Sequence, residues 1–300
     1  MVISKHREVQ ILKKINNLLI IGGDNRQIYM ADFFEKAGFG VTVYGMDDKK
    51  RKNTTDIRNE IERADVIIFP LPASKDGKHI SSIFPVKETY DDIIPKIKKD
   101  TLVFGGLIDK GIESKLKNRG IRYYDYFKRE DVTIKNTVPT VQGILKAMID
   151  NVDYTIHSSK CAVFGYGRIG KITADILKSI GADVTVCVRK DSDLANAGVK
   201  KLDSCLIKDF YLFSNQYDII INTVPAPVID RKVLENVKSD CLIIDVSSAP
   251  YGTDFAAAYE FGINAIQCPS LPGKVAPKTA GKIIAEAVIS TLKEEEQWID

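Results

Sequence analysis

An internal repeat of short apolar runs constrains the fold of this 300-residue chain more than any other feature. Runs of four to six apolar residues alternate with longer amphipathic stretches, a pattern typical of parallel strands joined by crossover helices. The series occurs twice in the same order, which predicts two copies of one doubly wound α/β unit. The matching segments are Leu18–Gly23 with Cys161–Gly165, Gly40–Tyr44 with Asp183–Cys187, Asp65–Ala73 with Asp218–Ala226, Thr101–Phe104 with Cys241–Ile244, and Gly120–Tyr124 with Gly262–Ile266.

The repeat sets the expected domain organisation. We expect a Rossmann-like substrate domain over residues 1–135 and a Rossmann domain that binds NAD(P) over residues 136–275. A connecting helix over residues 136–152 joins the two sheets, and residues 276–300 form a C-terminal helix that packs back on the first domain. The predicted fold class is therefore α/β, with two Rossmann-like doubly wound parallel-sheet domains, and we expect the active site in the cleft between them, which would close during the reaction.

Both predicted helices outside the repeat are amphipathic. Thr140 is expected to cap the connecting helix. The apolar face of that helix takes in Ile144, Leu145, Met148 and Ile149. The apolar face of the terminal helix takes in Ile283, Ile284, Ala287, Val288 and Leu292.

Composition excludes several classes of protein. With 44% apolar and 28% charged residues, the chain is neither disordered nor fibrous, and a formal charge of +3 provides no strongly basic surface for nucleic acid. No apolar run reaches the roughly 18 residues of a membrane span, and the first residues lack a signal-peptide pattern, so we expect a cytoplasmic protein.

The five cysteines form no Cys-x-x-Cys pair and the three histidines share no helical spacing, so we expect reduced core thiols rather than a metal site.

A glycine-rich motif in the second repeat predicts dinucleotide binding. Gly165, Gly167 and Gly170 follow an apolar strand and open an amphipathic helix, which is the context of a Rossmann fingerprint. Gly165 permits the tight turn, Gly167 lets a pyrophosphate approach the backbone, and Gly170 lets helix and strand pack closely. Arg168 and Ile169 begin the helix, whose N–H groups would bind the phosphates.

The residues after the second strand of this repeat favour NADP. NAD-selective proteins carry an acid here that accepts hydrogen bonds from the ribose hydroxyls, whereas this chain has Arg189, Lys190 and Ser192. The two cations suit a 2′-phosphate, and Ser192 can donate a hydrogen bond to it. Asp191 could still bind a ribose, so NAD stays open as the alternative.

Two loops at the carboxyl ends of later strands are expected to face the nicotinamide and the substrate. Thr223, Val224 and Pro225 would line the nicotinamide or its ribose. Ser247 and Ser248 offer hydroxyl groups to the substrate and are candidate catalytic residues, with an ordinary turn as their alternative role.

Candidate substrate-binding residues lie in the first repeat and near the terminal helix. The turn 22–27 lacks the rest of the fingerprint, so a second dinucleotide is not expected there, and Arg26 suits an anionic substrate or a surface role. Residues 269–281 are too rich in proline and glycine for a helix, so we expect a shaped loop. Lys274 and Lys278 there can attract a carboxylate, Thr279 would cap the following helix and join the substrate site, and Lys278 is a further catalytic candidate.

Six segments together resemble the family of dipicolinate synthase A subunits, and in order they span nearly the whole chain. They are GGDNRQ at 22–27, PTVQG at 139–143, DYTIH at 153–157, GYGRIG at 165–170, GTDF at 252–255 and LPGKVAPKTAG at 271–281. The last segment is the most specific and the glycine motif the least. One departure is Gln142, which stands where the family carries Glu.

The resemblance implies a protein that works with a second, flavoprotein-like B subunit. Together they would oxidise dihydrodipicolinate, or its hydrated tetrahydro precursor, to dipicolinate in the mother cell during sporulation. Removal of a hydride and a proton gives the aromatic ring, and a nicotinamide can accept the hydride. Among residues that suit a small dicarboxylate substrate are Arg26, Asn136, Thr140, Lys274 and Lys278.

Two alternatives share these features. A dehydrogenase for an amino or hydroxy acid, of the alanine dehydrogenase type, would have the same fold and cofactor. A non-catalytic scaffold protein would bind the nucleotide while its partner carries out the redox chemistry. No residue is an obvious general base, since His157 precedes the first strand of the cofactor domain and is expected to be structural. A homo-oligomer is also left open.

Overall fold

The computed structural model describes residues 15–48, 51, 54 and 56–297, except for the side chains of residues 296 and 297. His6 and the outermost parts of the predicted domains lie outside the described residues. The described strands are β1 (Asn17–Ile21), β2 (Gly40–Tyr44), β3 (Val66–Ile68), β4 (Leu102–Gly105), β5 (Tyr123–Asp125), β6 (Lys160–Phe164), β7 (Asp183–Val188), β8 (Asp203–Leu206), β9 (Ile219–Asn222), β10 (Leu242–Asp245) and β11 (Asn264–Gln267). The described α-helices are α1 (Asn25–Lys36), α2 (Ile57–Arg63), α3 (Tyr90–Ile93), α4 (Lys110–Asn118), α5 (Glu130–Lys135), α6 (Thr137–Asn151), α7 (Arg168–Ser179), α8 (Asp191–Val199), α9 (Arg231–Leu234), α10 (Phe255–Glu260), α11 (Leu271–Val275) and α12 (Pro277–Gln297). Short 3-10 helices cover Ile94–Lys96, Tyr126–Lys128, Ile207–Leu212 and Ser214–Gln216.

The chain divides into two compact units. Unit 1 takes in the described residues up to Asn136 and those from Pro277 onward, and unit 2 takes in Thr137–Ala276. Each unit is built around one parallel sheet, so the predicted α/β class is confirmed.

The sheet of unit 1 has its strands in the order β2-β1-β3-β4-β5, all parallel. Leu18 and Ile20 of β1 enter one apolar cluster, whereas Leu19 and Ile21 enter another. Because successive side chains of a strand point to opposite faces, these clusters cover both faces of the sheet. Burial on both faces explains why the strand sequences are continuously apolar rather than alternating.

The sheet of unit 2 repeats this arrangement and adds one strand. Its order is β11-β10-β9-β6-β7-β8, and all of its strands are parallel. Taken from the opposite edge, the run β7-β6-β9-β10-β11 corresponds to β2-β1-β3-β4-β5 of unit 1, and β8 is the additional edge strand. The register is repeated as well, since Asn17 pairs with Gly40 in one unit and Lys160 pairs with Asp183 in the other.

The C-terminal helix packs on unit 1, as expected from its apolar face. Ile283, Ile284 and Val288 are buried in the same cluster as Leu18 and Met30. This face therefore completes the core of a unit whose other elements precede it by more than a hundred residues.

Three expected details at the helices are wrong. The helix α6 begins at Thr137, so Thr140 lies inside its first turn and is not its N-cap. Ile149 is 65% exposed, because α6 buries the face that carries Ile144 and Met148 instead. Residues 271–275 and 277–297 are helical rather than a shaped loop, so Thr279 lies within α12 and does not cap it.

The prolines explain the third error. Pro272 lies in the first turn of α11, and Pro277 begins α12. A proline at the start of a helix costs little, because the N–H groups of that turn have no partner within the helix. Separately, none of the described helices is long and apolar enough to cross a membrane.

Candidate functional site

The turn after β6 has the geometry of a dinucleotide-binding loop. Gly165 has a φ of +92°, a backbone conformation that L side chains rarely adopt. The helix α7 begins at Arg168 with Gly167 as its N-cap, and no side chain caps it. A helix N-terminus without a side-chain cap can direct N–H groups to a ligand, so this end of α7 suits phosphate oxygens.

Of the other two glycines in the motif, one lies at an open surface and one in a tight contact, as a dinucleotide-binding fingerprint requires. A Cβ atom added at Gly167 would meet no other atom within 4 Å, so the turn is open at this residue. A Cβ atom added at Gly170 would lie 2.0 Å from the carbonyl oxygen of Gly165, so helix and turn are in direct contact there. The open surface at Gly167 is the observation that fits a pyrophosphate group.

The loop after β9 lies against this turn. Thr223 donates its hydroxyl hydrogen to the carbonyl oxygen of Phe164 at 2.7 Å, which ties the loop to the end of β6. A Cβ atom at Gly165 would lie 2.6 Å from Thr223 Oγ1 and 2.9 Å from Val224 Cγ2. Thr223 and Val224 are therefore beside the glycine turn, while Pro225 is exposed, and their contact with a nicotinamide stays a prediction.

The end of β7 carries the two cations on which the prediction of NADP rests. Arg189 and Lys190 follow the last buried residue of the strand, and Lys190 is exposed. Helix α8 begins at Asp191, and Ser192 in its first turn is also exposed. The strand end thus carries two positive charges before the first acid of α8.

The structure shows a buried carboxylate that the sequence analysis missed. Asp245 ends β10 and is completely buried. Its Oδ1 accepts hydrogen bonds from the backbone N–H of Ser247 at 2.9 Å and from the hydroxyl of Ser247 at 2.7 Å. Its Oδ2 accepts from Asn222 Nδ2 at 2.9 Å, from the Gly252 N–H at 3.0 Å and from the Thr253 hydroxyl at 2.8 Å.

These hydrogen bonds join the loops that follow β9 and β10. Asn222, the last residue of β9, also accepts from the Val224 N–H at 3.0 Å and donates to the Val224 carbonyl at 3.1 Å. Asp245 thereby fixes the loop that lies against the glycine turn. The available sequence signal was a polar residue at the end of an otherwise apolar strand, as in IIIN and LIID.

The carboxyl group of Asp245 stays ionised in this setting. Burial raises its pKa, but the hydrogen bonds from Ser247, Asn222 and Thr253 outweigh burial and hold the pKa below its usual value. A fixed negative charge with several donors around it keeps both loops in one arrangement.

The two serines that were candidate catalytic residues have different surroundings. Ser247 is 7% exposed and its hydroxyl is bound to Asp245, so it positions the carboxylate instead of facing a substrate. Ser248 is exposed. The Ser247 hydroxyl is thus already engaged within the chain, and a catalytic role for Ser248 stays a prediction.

The equivalent turn of unit 1 is filled by its own side chains. Asp24 caps α1 and accepts a hydrogen bond from the Arg26 N–H at 2.9 Å, while Gln27 Oε1 accepts from the Asp24 N–H at 2.9 Å. A Cβ atom at Gly23 would lie 2.4 Å from the Gln27 side chain. This helix N-terminus is therefore closed by side chains of its own turn.

Arg26 is buried, which makes the surface role considered for it wrong. It is 7% exposed, and its Nη2 donates to Asp24 at 2.8 Å and to the Leu71 carbonyl at 2.5 Å. The guanidinium therefore connects the turn after β1 with the segment after β3, inside unit 1.

Segments that carry the family resemblance meet in the structure. A Cβ atom at Gly281 would lie 2.3 Å from the carbonyl oxygen of Arg26, so α12 and α1 are in direct contact within unit 1. A Cβ atom at Gly143 would lie 2.7 Å from Leu271 Cβ, so α6 and α11 are in direct contact within unit 2. Glycine at these two crossings allows helix backbones to approach closely.

The remaining substrate candidates divide between the units. Asn136 ends unit 1 and is buried, and Lys278 and Thr279 of α12 belong to the same unit. Thr140 and the exposed Lys274 belong to unit 2. Their contact with a substrate stays a prediction.

Cys161, Cys241 and His157 show no feature of a reactive group. Burial raises the pKa of the Cys161 and Cys241 thiols to about 12, so neither is a ready nucleophile. The ring of His157 lies against the turn at Gly181, where an added Cβ atom would be 2.3 Å from its Cδ2. Within the part of the chain that the structure describes, no group of three or more His, Cys, Asp or Glu residues could hold a metal ion.

Comparison with known proteins agrees with the two units. Residues 17–127 match the family model of the N-terminal domain of the dipicolinate synthase A subunit. Residues 124–253 match the model of the NAD binding domain of D-isomer specific 2-hydroxyacid dehydrogenases.

Individual proteins give the same assignment. The chain is 31% identical to the A subunit of dipicolinate synthase from Bacillus subtilis (strain 168), over 92% of this chain and 96% of that protein. The crystal structure of the dipicolinate synthase A subunit from Bacillus halodurans superimposes with a TM-score of 0.83 at 30% identity, covering 92% of this chain and 97% of that one.

A more distant structure shares only the fold. An L-alanine dehydrogenase superimposes with a TM-score of 0.59 at 15% identity, over 93% of this chain and 90% of that one. The match to an NAD binding dehydrogenase domain and the likeness to a dipicolinate synthase A subunit make the chain an NAD(P)-dependent oxidoreductase. By sequence and by structure over almost its whole length, the chain belongs to the family of dipicolinate synthase A subunits.

Proposed function

We propose that the chain is the nucleotide-binding component of a dipicolinate synthase and oxidises dihydrodipicolinate, or its hydrated tetrahydro precursor, to dipicolinate with NADP. It would act with a flavoprotein-like B subunit in the mother-cell cytoplasm of a sporulating bacterium. The observation that carries the proposal is the open, uncapped N-terminus of α7, in a chain that matches a dipicolinate synthase component along almost its whole length.

The cofactor would be held by the turn after β6 and by the end of β7. The open surface at Gly167 leaves room for the pyrophosphate, whose oxygens would accept hydrogen bonds from the start of α7. Arg189 and Lys190 would pair with the 2′-phosphate, with Ser192 as a further donor. The two cations at the end of β7 support NADP over NAD.

The reaction removes a hydride and a proton from the ring of dihydrodipicolinate, and the hydrated tetrahydro precursor would lose a water molecule as well. The bound nicotinamide would accept the hydride, and formation of an aromatic product makes the step favourable. Thr223 and Val224 would hold the nicotinamide end of the site, because Asp245 fixes their loop beside the glycine turn. Ser248 would orient the substrate by a hydrogen bond.

Cationic side chains would bind the two substrate carboxylates. As ammonium groups, Lys274 and Lys278 would each pair with a substrate carboxylate. Lys278 would accept the departing proton only in its neutral form, so pairing and proton transfer are alternative roles for it. Arg26, Asn136, Thr140 and Thr279 complete the proposed set. Since Arg26 is already paired with Asp24, its contribution would be to shape the site through the turn after β1.

A direct assay of NADPH formation tests the proposal. Purified chain, substrate generated in place and NADP are mixed with and without the B subunit, and the absorbance of NADPH is followed. Substrate-dependent NADPH formation that disappears in Gly167→Val supports the proposal. No NADPH formation even with the B subunit present, although NADP binds, would favour the scaffold alternative, in which this chain only holds the nucleotide.

A further inference from the structure

Two cysteines of unit 2 are in contact and have no part in the reaction described above. Cys187 of β7 and Cys205 of β8 are directly paired in the parallel register of these strands. Their sulfur atoms are 3.6 Å apart. The proposed cofactor and substrate site includes neither thiol.

The two thiols differ in ways that suit stepwise oxidation. Cys187 is fully buried, and burial raises the pKa of its thiol. Cys205 is only partly buried on the edge strand, and its contact with Cys187 lowers the pKa of its thiol. An accessible thiolate with a second thiol beside it is the arrangement of a redox-active pair.

We propose that Cys187 and Cys205 form a reversible disulfide that responds to a low-molecular-weight disulfide such as oxidised glutathione. The Cys205 thiolate attacks one sulfur of the oxidant, which forms a mixed disulfide and releases one glutathione thiolate. Cys187 then loses its proton and attacks the Cys205 sulfur, which releases the second glutathione. Two protein thiols are oxidised to one disulfide, and one glutathione disulfide is reduced to two thiols.

The geometry places the two sulfur atoms close enough for a bond to form after a small movement. A disulfide requires sulfur atoms about 2.0 Å apart, so the pair must approach from its present 3.6 Å. Direct pairing of the two residues in the register of β7 and β8 keeps the sulfur atoms next to each other. A thiol reverses such a bond by thiol–disulfide exchange.

The position of the pair connects it to the cofactor site, a step that rests on the proposed function. Cys187 and Cys205 are 18 residues apart, and the segment between them contains Arg189, Lys190 and Ser192. The disulfide would link the two strands that bound this segment and restrict its movement. We therefore expect the oxidised chain to bind NADPH less tightly than the reduced chain.

Thiol counting tests the disulfide itself. The full chain is equilibrated with oxidised glutathione and small amounts of reduced glutathione, and its free thiols are then alkylated under denaturing conditions and counted by mass spectrometry. The wild type is expected to fall from its five thiols to three, to lose the mass of two hydrogen atoms, and to yield a linked peptide pair that contains Cys187 and Cys205. Reduction with dithiothreitol should restore all five thiols.

Two single variants make this test specific. Cys205→Ser should keep its four remaining thiols, whereas Cys268→Ser, a matched change at another partly buried cysteine, should fall from four thiols to two. Retention of all five thiols by the wild type, or a linked pair between other cysteines, would overturn the proposal. So would a bound soft metal ion that protects both thiols from oxidation.

Cofactor titration tests the coupling. NADPH is titrated into the reduced and the oxidised chain, and we expect the Kd to rise about tenfold on oxidation. Cys205→Ser should show no change under the same treatment. Equal affinity in both forms would contradict the coupling, while failure of the reduced chain to bind NADPH would count against the proposed function and leave the thiol result standing.

Discussion

The two units share one fold but treat the N-terminus of their first helix in opposite ways. In the repeat, Asp24 of unit 1 corresponds to Gly167 of unit 2, and Gln27 corresponds to Gly170. Asp24 and Gln27 close the start of α1 with a reciprocal pair of hydrogen bonds. The corresponding glycines leave the start of α7 uncapped and open.

The comparison shows that two side chains separate a structural turn from a candidate phosphate site. Strand order, register and the positive φ of the first glycine are common to both units. A carboxylate at the N-cap supplies the helix with an internal anion, so an external phosphate has no place there. Where glycine stands instead, the same backbone is available to a ligand.

The largest expected effect follows from opening the closed turn. Asp24→Ala removes the helix cap, worth about 1 kcal/mol, and leaves the buried Arg26 guanidinium without its carboxylate, which costs about 3 kcal/mol more. Urea unfolding of the variant should therefore show a loss of about 4 kcal/mol, with NADPH affinity unchanged. Asp109→Ala is the matched control, because Asp109 caps α4 without a buried arginine and should cost only about 1 kcal/mol.

Replacing the glycines of the open turn by alanine should change the free energy of unfolding at one position and not at the other. Gly170→Ala places a Cβ atom 2.0 Å from a backbone oxygen and should destabilise the chain by about 3 kcal/mol. Gly167→Ala meets no atom within 4 Å and should leave the free energy of unfolding nearly unchanged. Equal thermal unfolding temperatures for the two variants would contradict the close contact between helix and turn.

Much of the fold follows from the sequence, because each buried strand is a short apolar run bounded by glycine or a polar residue. The start of the helix Pro277–Gln297 does not follow in the same way, since helical periodicity cannot distinguish a proline that begins a helix from one that prevents it.

The site was harder to predict. The glycine motif could be recognised because its spacing is local. The hydrogen bonds that Asp245 accepts from Asn222 and Thr253 could not be recognised in this way, because these residues come close together only when the chain folds and β9 pairs with β10. The buried pairing of Arg26 with the Leu71 carbonyl likewise depends on the folded arrangement of unit 1.

Removing a positive charge at the end of β7 tests whether the chain prefers NADP to NAD. Arg189→Ala should weaken NADPH binding by about 2 kcal/mol, the strength of a charge-assisted hydrogen bond, while NADH binding should change little. Lys146→Ala makes the same change in net charge on α6 and should affect neither nucleotide. Equal weakening of NADPH and NADH by Arg189→Ala would remove the argument for a 2′-phosphate.

The smallest expected effect concerns the pH dependence of stability. The pKa of Asp245 is lowered in the folded chain, so its contribution is present above the unfolded-state pKa of about 3.9 and is lost as the pH falls through the folded-state value. Asp245→Asn removes this titration. Unfolding by urea at neutral pH and near pH 3 should show that the variant loses less stability on acidification, by on the order of 1 kcal/mol; identical pH profiles would contradict the assignment.

Calorimetric titration of NADPH into Gly167→Asp, beside the wild type, tests the central claim most directly. This change gives unit 2 the cap that unit 1 already has, so it should preserve or slightly raise the unfolding temperature, because Asp is at least as good an N-cap as Gly. We predict one NADPH per wild-type chain and no measurable binding to Gly167→Asp. Binding of NADPH to the folded variant with wild-type affinity would show that the nucleotide does not lie at the start of α7.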